Sequence, residues 1–551
     1  MAIVLGVNAV FHDPAAAIVV DGEIVAAAEE ERFSRRKHGK PSVPFSTWEV
    51  PQQAAMWCLE HAGIGAEDLD AVSYSYDPNL APPSSSLIAD GWEGLRTLYA
   101  RRAPRFLATA LPGLDPAAVR FVPHHIAHAA SAYLAAPVGD SAVMVHDGRG
   151  ESSAYLAGSV RDGELEALAT QSLPHSLGLL YESLTEHLGF ARASDEYKVM
   201  ALAAYGEPRW LDELRRAVRV TGDGRFEVAP IEWRTMARAR RRGEEEWTAD
   251  HADLAASVQR RLEEVLLELA GWLQERTGQR TLTMAGGVAL NCVANTRLLH
   301  DGPFDEVWVQ PAAGDAGTAL GGALYLAHAA GDRVRPMAGA GLGRGWDDAE
   351  IERRLTAAGV PFKRPIDVGD AVARILAADG IVAWFEGRAE YGPRALGHRS
   401  LLADPRNPRN TERLNLVKGR EQFRPIAPMV LEHRAEEIFG RGPIPSPYML
   451  FTHDVRPDWR DRIPAVVHVD GTARIQTVRP DWNPSVAGML EAFDRRTGVP
   501  VVINTSLNTA GRPIVDDPRD ALELFGAAPA DAMVMGPFLI RRESLFQKAA
   551  A

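Results

Sequence analysis

The chain has 551 residues, 46% of them hydrophobic and 24% charged, which is the balance of a globular protein long enough for two domains. Its net charge of −13 argues against nonspecific nucleic-acid binding, and its two cysteines, Cys58 and Cys292, exclude a disulfide framework. No apolar run has the length of a membrane span or the pattern of a signal peptide, so we expect a cytoplasmic protein.

The N-terminal half contains a repeated arrangement of strands. Each copy has a strand, a His-Asp loop, a second strand, an Asp-Gly turn and a third strand. Asp-Gly between apolar runs is a strong hairpin signal, and the repetition predicts two related sheets that face one cleft, an arrangement that resembles the actin-like ATPase fold. The first copy has strands at 3–6, 15–20 and 23–27 with His12-Asp13 and Asp21-Gly22; the second has strands at 141–145, 152–158 and 164–168 with His146-Asp147 and Asp162-Gly163.

Further along, a strand over 281–287 runs into Gly286-Gly287 and a helix over 288–299, a turn at which backbone N–H groups can approach a nucleotide. Before it, Leu and Val side chains between 254 and 273 recur at helical spacing and predict a packing helix. Residues 331–348 are rich in Gly, Arg and Pro and predict a boundary between domains 1–340 and 341–551. In the second domain we expect helices over 349–358, 368–379 and 518–526 and strands over 380–385, 500–503 and 531–535.

Histidines one helical turn apart form a candidate metal site. His124 and His128 have the i, i+4 spacing that places two imidazoles on one face; His125 is the other possible partner of His128, but this spacing favours His124. Asp147 and Asp315 follow strands that should point into the same cleft and would complete a set suited to Fe, Zn, Mn or Ni. A purely structural histidine cluster is the alternative interpretation.

Basic and amide side chains recur in Gly- and Pro-rich loops of the second half. Arginine forks suit phosphate or carboxylate groups, lysine supplies a point charge, and asparagine adds neutral hydrogen bonds. In an acidic protein this concentration predicts a site for a small anionic ligand, with ordinary surface charge as the alternative. The residues are Arg388, Arg394, Lys418, Arg424, Arg474 and Asn504.

Eleven motifs in order, over roughly 500 residues, resemble the O-carbamoyltransferases of antibiotic and nodulation-factor biosynthesis. They are FHDPAAAIVVDG (11–22), AAEEERFSRRKH (27–38), HHIAHAASAY (124–133), HDGRGE (146–151), YKVMALAAYG (197–206), AGGVALNCVAN (285–295), GDAGTALGGAL (314–324), GRAEYGPRALGHRSLLADPR (387–406), REQFRPIAP (420–428), DGTARIQTV (470–478) and NTSLNTAGRPI (504–514).

This resemblance implies an α/β and α+β protein, with a duplicated ribonuclease H/actin-like ATPase-type domain followed by a YrdC-like α/β domain. The second domain would form carbamoyl adenylate from carbamoyl phosphate and ATP, with Mg²⁺ as a possible cofactor. The six basic and amide residues named above would bind the two substrates. The first would transfer the carbamoyl group at an Fe²⁺ or other divalent metal held by His124, His128, Asp147 and Asp315. Residues near the adenylate would be Gly178, Glu196, Gly286, Gly287 and Asn291.

The acceptor hydroxyl must lose a proton, and His12 is our candidate general base, with Asp13 and His38 completing the catalytic set. The expected acceptor is a small molecule such as a sugar, an aminoglycoside or a macrocycle, with neither nucleic acid nor membrane as a partner. Two other functions fit parts of the pattern: an actin-like small-molecule kinase using Mg²⁺, and a noncatalytic partner in a tRNA-modifying complex.

Overall fold

In a computed structural model, residues 2–39, 50–82, 91–244 and 246–547 are described, and the chain divides into two compact units, Met1–Ala338 and Gly339–Ala551. The strands of unit 1 are β1 (Ile3–Asn8), β2 (Ala15–Val20), β3 (Glu23–Glu29), β4 (Ala71–Tyr74), β5 (Val119–Phe121), β6 (Ser141–His146), β7 (Ser153–Arg161), β8 (Glu164–Ser172), β9 (Val218–Val220), β10 (Phe226–Val228), β11 (Thr281–Ala285) and β12 (Glu306–Val309). Its helices are α1 (Glu31–Ser34), α2 (Gln52–Ala62), α3 (Gly91–Ala110), α4 (His124–Tyr133), α5 (Leu177–His187), α6 (Glu196–Ala203), α7 (Leu211–Ala217), α8 (Ala249–Thr277), α9 (Cys292–Asp301) and α10 (Ala316–Ala329).

The repeat seen in the sequence is a repeat of topology. The first sheet has the order β3-β2-β1-β4-β5 and the second β8-β7-β6-β11-β12. In both, the first three strands are antiparallel neighbours and the last two join in parallel. The predicted duplicated actin-like fold is therefore confirmed by strand order.

Both Asp-Gly turns have the backbone that their sequences predict. Asp21 and Gly22 have φ values of +53° and +76°, and Asp162 and Gly163 have +51° and +81°. Positive φ at both central residues matches the right-handed twist of a two-residue hairpin, which explains why Asp-Gly occurs twice at this point of the repeat.

Helices α4 and α10 pack against each other and connect the two sheets. α4 follows the last strand of the first sheet but contacts β6 and β11 of the second, whereas α10 follows the second sheet and contacts β1, β2 and β4 of the first. A glycine allows the two helices to approach closely. A Cβ atom on Gly321 of α10 would lie 1.8 Å from the carbonyl oxygen of Ala127 in α4. The N-termini of both helices are thereby brought to one place.

The helix predicted over 288–299 is divided into two. A single 3-10 turn covers Gly287–Leu290, and α9 begins at Cys292, because the Asn291 side chain accepts a hydrogen bond from the N–H of Ala294 and caps the new helix. A capping asparagine competes with helix continuation, which is the physical reason for the break.

Unit 2 contains a seven-stranded mixed sheet in the order β19-β15-β20-β14-β13-β21-β22 and a small three-stranded sheet, β16-β17-β18. Helices cover the large sheet, which agrees with the predicted α/β class. Its strands are β13 (Val382–Phe385), β14 (Arg399–Ala403), β15 (Ala427–Leu431), β16 (Phe439–Gly440), β17 (His453–Val455), β18 (Thr472–Ala473), β19 (Gln476–Val478), β20 (Val501–Ser506), β21 (Ala532–Met535) and β22 (Phe538–Arg541). Its helices are α11 (Asp348–Ala357), α12 (Val368–Ala377), α13 (Arg409–Lys418), α14 (Glu432–Ile438), α15 (Pro457–Arg460), α16 (Pro484–Thr497), α17 (Pro518–Ala527) and α18 (Arg542–Gln547).

Across the described ranges of both units, no helix has both the length and the apolar composition that a membrane crossing requires.

The close packing of α4 on α10 predicts opposite effects for two Gly-to-Ala substitutions. Gly321→Ala should destabilise the protein by about 1–3 kcal/mol, because the added methyl group overlaps the backbone of α4. The control is Gly271→Ala in α8, where a Cβ atom has no neighbour within 4 Å in the described structure, so it should stabilise by up to about 1 kcal/mol. Urea unfolding followed by circular dichroism measures both. Equal effects of the two substitutions would contradict the packing account.

Candidate functional site

The candidate metal-binding histidines lie in the first two turns of α4. His124 and His128 are completely buried, and the small side chains of Ala127, Ala129 and Ala130 beside them admit close neighbours. Because the two positions are four residues apart, both rings leave the helix on the same side.

Two aspartates reach the same place from the other repeat and from α10. Asp147 follows β6, and its Oδ1 accepts a hydrogen bond from the N–H of Gly287 at 3.1 Å. Its loop is held by Ser176, whose hydroxyl donates to the carbonyl of Asp147 at 3.1 Å and to that of Gly148 at 2.8 Å. Asp315 directly precedes α10 and is 1% exposed.

These four side chains form a compact group with unused polar atoms. His124 Nε2 lies 3.5 Å from Asp147 Oδ2 and 3.6 Å from Asp315 Oδ1; the corresponding distances from His128 Nε2 are 3.9 and 3.6 Å. One ligand atom from each residue lies within 4.8 Å of all the others. Both Nε2 atoms and both Asp315 oxygens are buried and have no hydrogen-bond partner among the described residues.

A divalent cation fits this arrangement. Leaving buried polar atoms unpaired is costly, and one ion among the four side chains would satisfy them together. Two imidazole nitrogens and two carboxylate oxygens form a donor set suited to Fe²⁺, Mn²⁺ or Zn²⁺. We therefore regard His124, His128, Asp147 and Asp315 as the candidate metal ligands.

The charges within the group depend on one another. Burial opposes ionisation of every member, but the two carboxylates outweigh it at His124 and raise the pKa of that imidazole well above its usual value. At His128, burial and the charge of His124 lower the pKa. Despite burial, the neighbouring histidines lower the pKa of Asp147, and His12 together with His124 lowers that of Asp315. Both aspartates are thus ionised at neutral pH, as metal ligands must be.

Two groups that the sequence did not single out orient His124. Its Nδ1 donates to the carbonyl oxygen of Ser75 at 3.0 Å, which directs Nε2 at the aspartates. Glu151 Oε1 accepts hydrogen bonds from the backbone N–H groups of His124 and Asp77, both at 2.8 Å, and ties the start of α4 to the loop after β4. Glu151 belongs to the HDGRGE motif, which is the only sequence signal of this contact.

The predicted catalytic residues lie next to the group. Asp13 accepts from His12 Nδ1 at 2.9 Å through Oδ2 and from His38 Nδ1 at 2.7 Å through Oδ1. His12 Nδ1 is also 3.8 Å from Asp315 Oδ2, so the two sets of residues are contiguous. Despite burial, the two histidines hold the pKa of Asp13 well below its usual value, which keeps it ionised between them.

The three glycines expected near an adenylate line the Asp147 loop. A Cβ atom on Gly178 would lie 2.7 Å from the carbonyl oxygen of Asp147, and one on Gly286, whose φ is +91°, would lie 2.2 Å from that of His146. Gly287 supplies the N–H that holds Asp147. For Gly178 and Gly286, the lack of a side chain is accounted for by the close approach of backbone around the candidate ligand.

The other two adenylate candidates have different surroundings. Asn291 exchanges hydrogen bonds with Gln259 at 2.8 and 3.2 Å in addition to capping α9, so its amide is already occupied within the fold. Glu196 begins α6, and its Oε1 accepts from the N–H of Ala193 at 2.7 Å. An interaction of Glu196 with His12 places it on the side of the catalytic residues.

In unit 2, Asn504 and Arg474 have buried polar atoms that the protein does not satisfy. Asn504 donates to the carbonyl of Ala395 at 3.0 Å and to Gln476 Oε1 at 2.7 Å, but its Oδ1 and the Nε of Arg474 have no hydrogen-bond partner in the described part of the chain. Lys418, by contrast, uses its ammonium group on the loop after β20, donating to Ser506 and to Asn508 Oδ1 at 2.6 Å.

Of the remaining basic candidates, Arg388 and Arg394 lie in the loop between β13 and β14, and Arg424 lies between α13 and β15. Arg388 donates to the carbonyls of Leu342 and of Gly343, the latter at 3.0 Å, so its guanidinium holds backbone. Arg424 pairs with Glu421 at 3.4 Å and is 17% exposed, and Arg394 is half-buried.

A carboxylate that the sequence did not single out shapes the loop of Arg394. Glu390 Oε1 accepts from the N–H groups of Leu396, His398 and Arg399 at 2.7, 2.9 and 3.1 Å. Three backbone donors on one oxygen fix this loop as a rigid support for the neighbouring side chains.

Comparison with known proteins covers both units. Residues 3–80 and 98–324 match the family model described as the carbamoyltransferase N-terminus, and residues 373–542 match that of the carbamoyltransferase C-terminus. An uncharacterized protein of Synechocystis sp. is 37% identical, with 99% of this chain and 97% of that protein covered. Nodulation protein NolNO of Sinorhizobium fredii is 37% identical over 98% of this chain and 80% of its own. Nodulation protein U of Bradyrhizobium diazoefficiens is 42% identical over 45% of this chain and 42% of its own.

The environment of Glu196 predicts a pH-dependent stability. Burial, together with the charge of Glu182, raises the pKa of Glu196 from 4.5 to about 7. The protonated form therefore stabilises the fold fully below about pH 4.5, and this contribution is lost as the pH rises through about 7. Glu196→Gln stays neutral, so its stability relative to wild type should increase by about 1–3 kcal/mol between about pH 4.5 and about pH 8.

Chemical denaturation across this pH range tests the prediction. The same substitution at Glu186, whose side chain is 65% exposed, controls for the removal of one negative charge. A stability difference between Glu196→Gln and wild type that does not change with pH would contradict it.

Proposed function

Because the chain belongs to the carbamoyltransferase family, whose N- and C-terminal models it matches in order, we propose that it carbamoylates a small-molecule hydroxyl through carbamoyl adenylate. Family membership confirms the predicted carbamoyltransferase; the intermediate, the metal and the acceptor are the proposal. The observation that carries it is the buried group of His124, His128, Asp147 and Asp315, whose unpaired atoms suit a cation next to a candidate base.

We assign adenylate formation to unit 2. Carbamoyl phosphate would release inorganic phosphate by hydrolysis, and the resulting carbamate oxygen would attack the α-phosphorus of ATP and expel pyrophosphate. Both reactants are anions, so their approach requires fixed positive charge. Arg474 supplies a buried guanidinium nitrogen with no acceptor in the described fold, and Asn504 Oδ1 is suited to accept from the carbamoyl amide. Lys418 positions the loop after β20, and Arg394 and Arg424 add charge.

We assign carbamoyl transfer to unit 1, with His12 as the base. Ionised Asp13 accepts a hydrogen bond from the Nδ1–H of His12, which leaves the lone pair of the neutral ring on Nε2. That nitrogen would take the proton of the acceptor hydroxyl. The hydroxyl oxygen would at the same time form a bond to the carbamoyl carbon, and AMP would leave. His38, on the other oxygen of Asp13, fixes the carboxylate in this orientation.

The metal ligands would be His124, His128, Asp147 and Asp315. Fe²⁺ or a similar divalent ion held there would supply a Lewis acid that stabilises developing negative charge, and the reaction itself involves no change of oxidation state. Ser75 and Glu151 keep the His124 ring in the orientation this requires.

The acceptor is proposed by chemical class alone, as a hydroxyl of a sugar, aminoglycoside, macrocycle or similar secondary metabolite. The family match favours carbamoyl transfer over the alternatives of a small-molecule kinase and a noncatalytic partner of a tRNA-modifying complex. The kinase would release ADP, whereas the proposed reaction releases pyrophosphate and AMP.

The assignment of two steps to two units predicts that the steps fail separately. Arg474→Ala should abolish pyrophosphate release from ATP and carbamoyl phosphate, because a half-buried cation is lost, while transfer from preformed carbamoyl adenylate continues. His12→Ala should leave pyrophosphate release intact and slow transfer about 10²–10⁴-fold, because the base is lost.

Pyrophosphate release and product formation, with a model sugar or aminoglycoside as acceptor, are measured for both variants and for Arg409→Ala. Arg409 is an exposed arginine of unit 2 and serves as the matched control for loss of one positive charge. If Arg474→Ala and His12→Ala impair the same step, the division between the units is wrong.

A further inference from the structure

His125 lies beside the four candidate ligands without belonging to them. Its side chain is buried, and its Nε2 is 3.9 Å from Asp147 Oδ2. Like the ligand nitrogens, this Nε2 has no hydrogen-bond partner within the described ranges. A buried ring nitrogen in a folded protein normally has one, so the contact that completes His125 should involve its neighbour Asp147.

The partners on Nδ1 differ between His124 and His125. The Nδ1 of His124 faces the carbonyl of Ser75, which can only accept, so Nδ1 carries a proton and Nε2 is the atom that faces the aspartates. The Nδ1 of His125 faces the hydroxyl of Ser153 at 2.8 Å, which can donate. When Ser153 donates to Nδ1, the ring proton of His125 is on Nε2, the nitrogen that faces the carboxylate of Asp147.

The loop after β6 holds the His125 ring in this place. A Cβ atom on Gly150 would lie 3.0 Å from His125 Cε1 and 3.3 Å from its Nδ1, so the absence of a side chain there admits the ring. The N–H of Gly150 donates to the carbonyl of Ser153 at 2.7 Å and closes the loop around it. The ring is thereby confined between Ser153 and Asp147.

We propose that His125 is a positioning residue that directs its Nε2–H to Asp147 Oδ2. Asp147 is then oriented at both oxygens, since Gly287 already donates to Oδ1. The inference rests on the proposed role of Asp147 as a metal ligand. Hydrogen bonds of this kind to a ligand typically change metal affinity 10–100-fold, and we expect a loss of that size when the donor is removed.

Two amide substitutions distinguish the contacts that the two nitrogens of His125 make. In His125→Gln the amide nitrogen takes the position of Nε2 and keeps a donor for Asp147, while the contact with Ser153 is lost. In His125→Asn the amide takes the position of Nδ1 and keeps the contact with Ser153, while the donor to Asp147 is lost. Each variant therefore controls for the other, and thermal unfolding checks that both are folded.

The measurement is the affinity of chelator-treated, full-length protein for Co²⁺, with the visible absorption of the bound ion as a second readout. His125→Asn should bind about 10–100-fold more weakly than wild type, and His125→Gln within about 3-fold of it, with the absorption bands of wild type retained in both.

Equal affinity of the two variants overturns the proposal. Changed bands in both variants would make His125 a ligand and overturn it as well. If wild type itself binds no Co²⁺, the metal site fails together with this inference, whereas tight wild-type binding without an effect of His125→Asn removes this inference alone.

Discussion

Unit 1 is organised around the cost of burying polar atoms that have no partner. Two imidazole nitrogens and the oxygens of Asp315 are withdrawn from water at the junction of two sheets, within a few ångströms of one another. No hydrophobic gain comes from placing these groups there, so the arrangement is stable only if something else compensates the burial. A bound cation would do so, and the surrounding hydrogen bonds with Ser75, Gly287 and Glu151 would then orient its ligands.

The exchange of helices between the repeats explains how one chain produces this convergence. Helix α4 starts after the first sheet and ends on the second, and α10 makes the reverse crossing. His124 and Asp315 thus arrive at the same place from opposite halves, where the loops after β1 and β6 each contribute an Asp. The duplication gives the site one carboxylate that is a candidate metal ligand, Asp147, and one that accepts a hydrogen bond from the candidate base, Asp13.

Features that depend on a pattern of side chains could be predicted from the sequence, whereas contacts made by the backbone could not. Strand β2 was expected at 15–20 and is Ala15–Val20, because an apolar run between a loop and an Asp-Gly turn leaves little choice. The spacing of His124 and His128 likewise fixed two candidate ligands. The carbonyl of Ser75 has no side-chain signal, however, and Asn291 interrupts a helix by capping within an otherwise helical pattern. Such contacts depend on where the chain returns in space, which periodicity does not encode.

The central claim is that the group of His124, His128, Asp147 and Asp315 holds a divalent transition metal. X-ray absorption spectroscopy of the full-length protein, purified and then reconstituted with Fe²⁺, tests this most directly when combined with elemental analysis. The account predicts about one metal ion per chain, surrounded by nitrogen and oxygen ligands alone, with binding lost in His128→Ala. Absence of stoichiometric metal after reconstitution, or a sulfur ligand from Cys58 or Cys292, would contradict it.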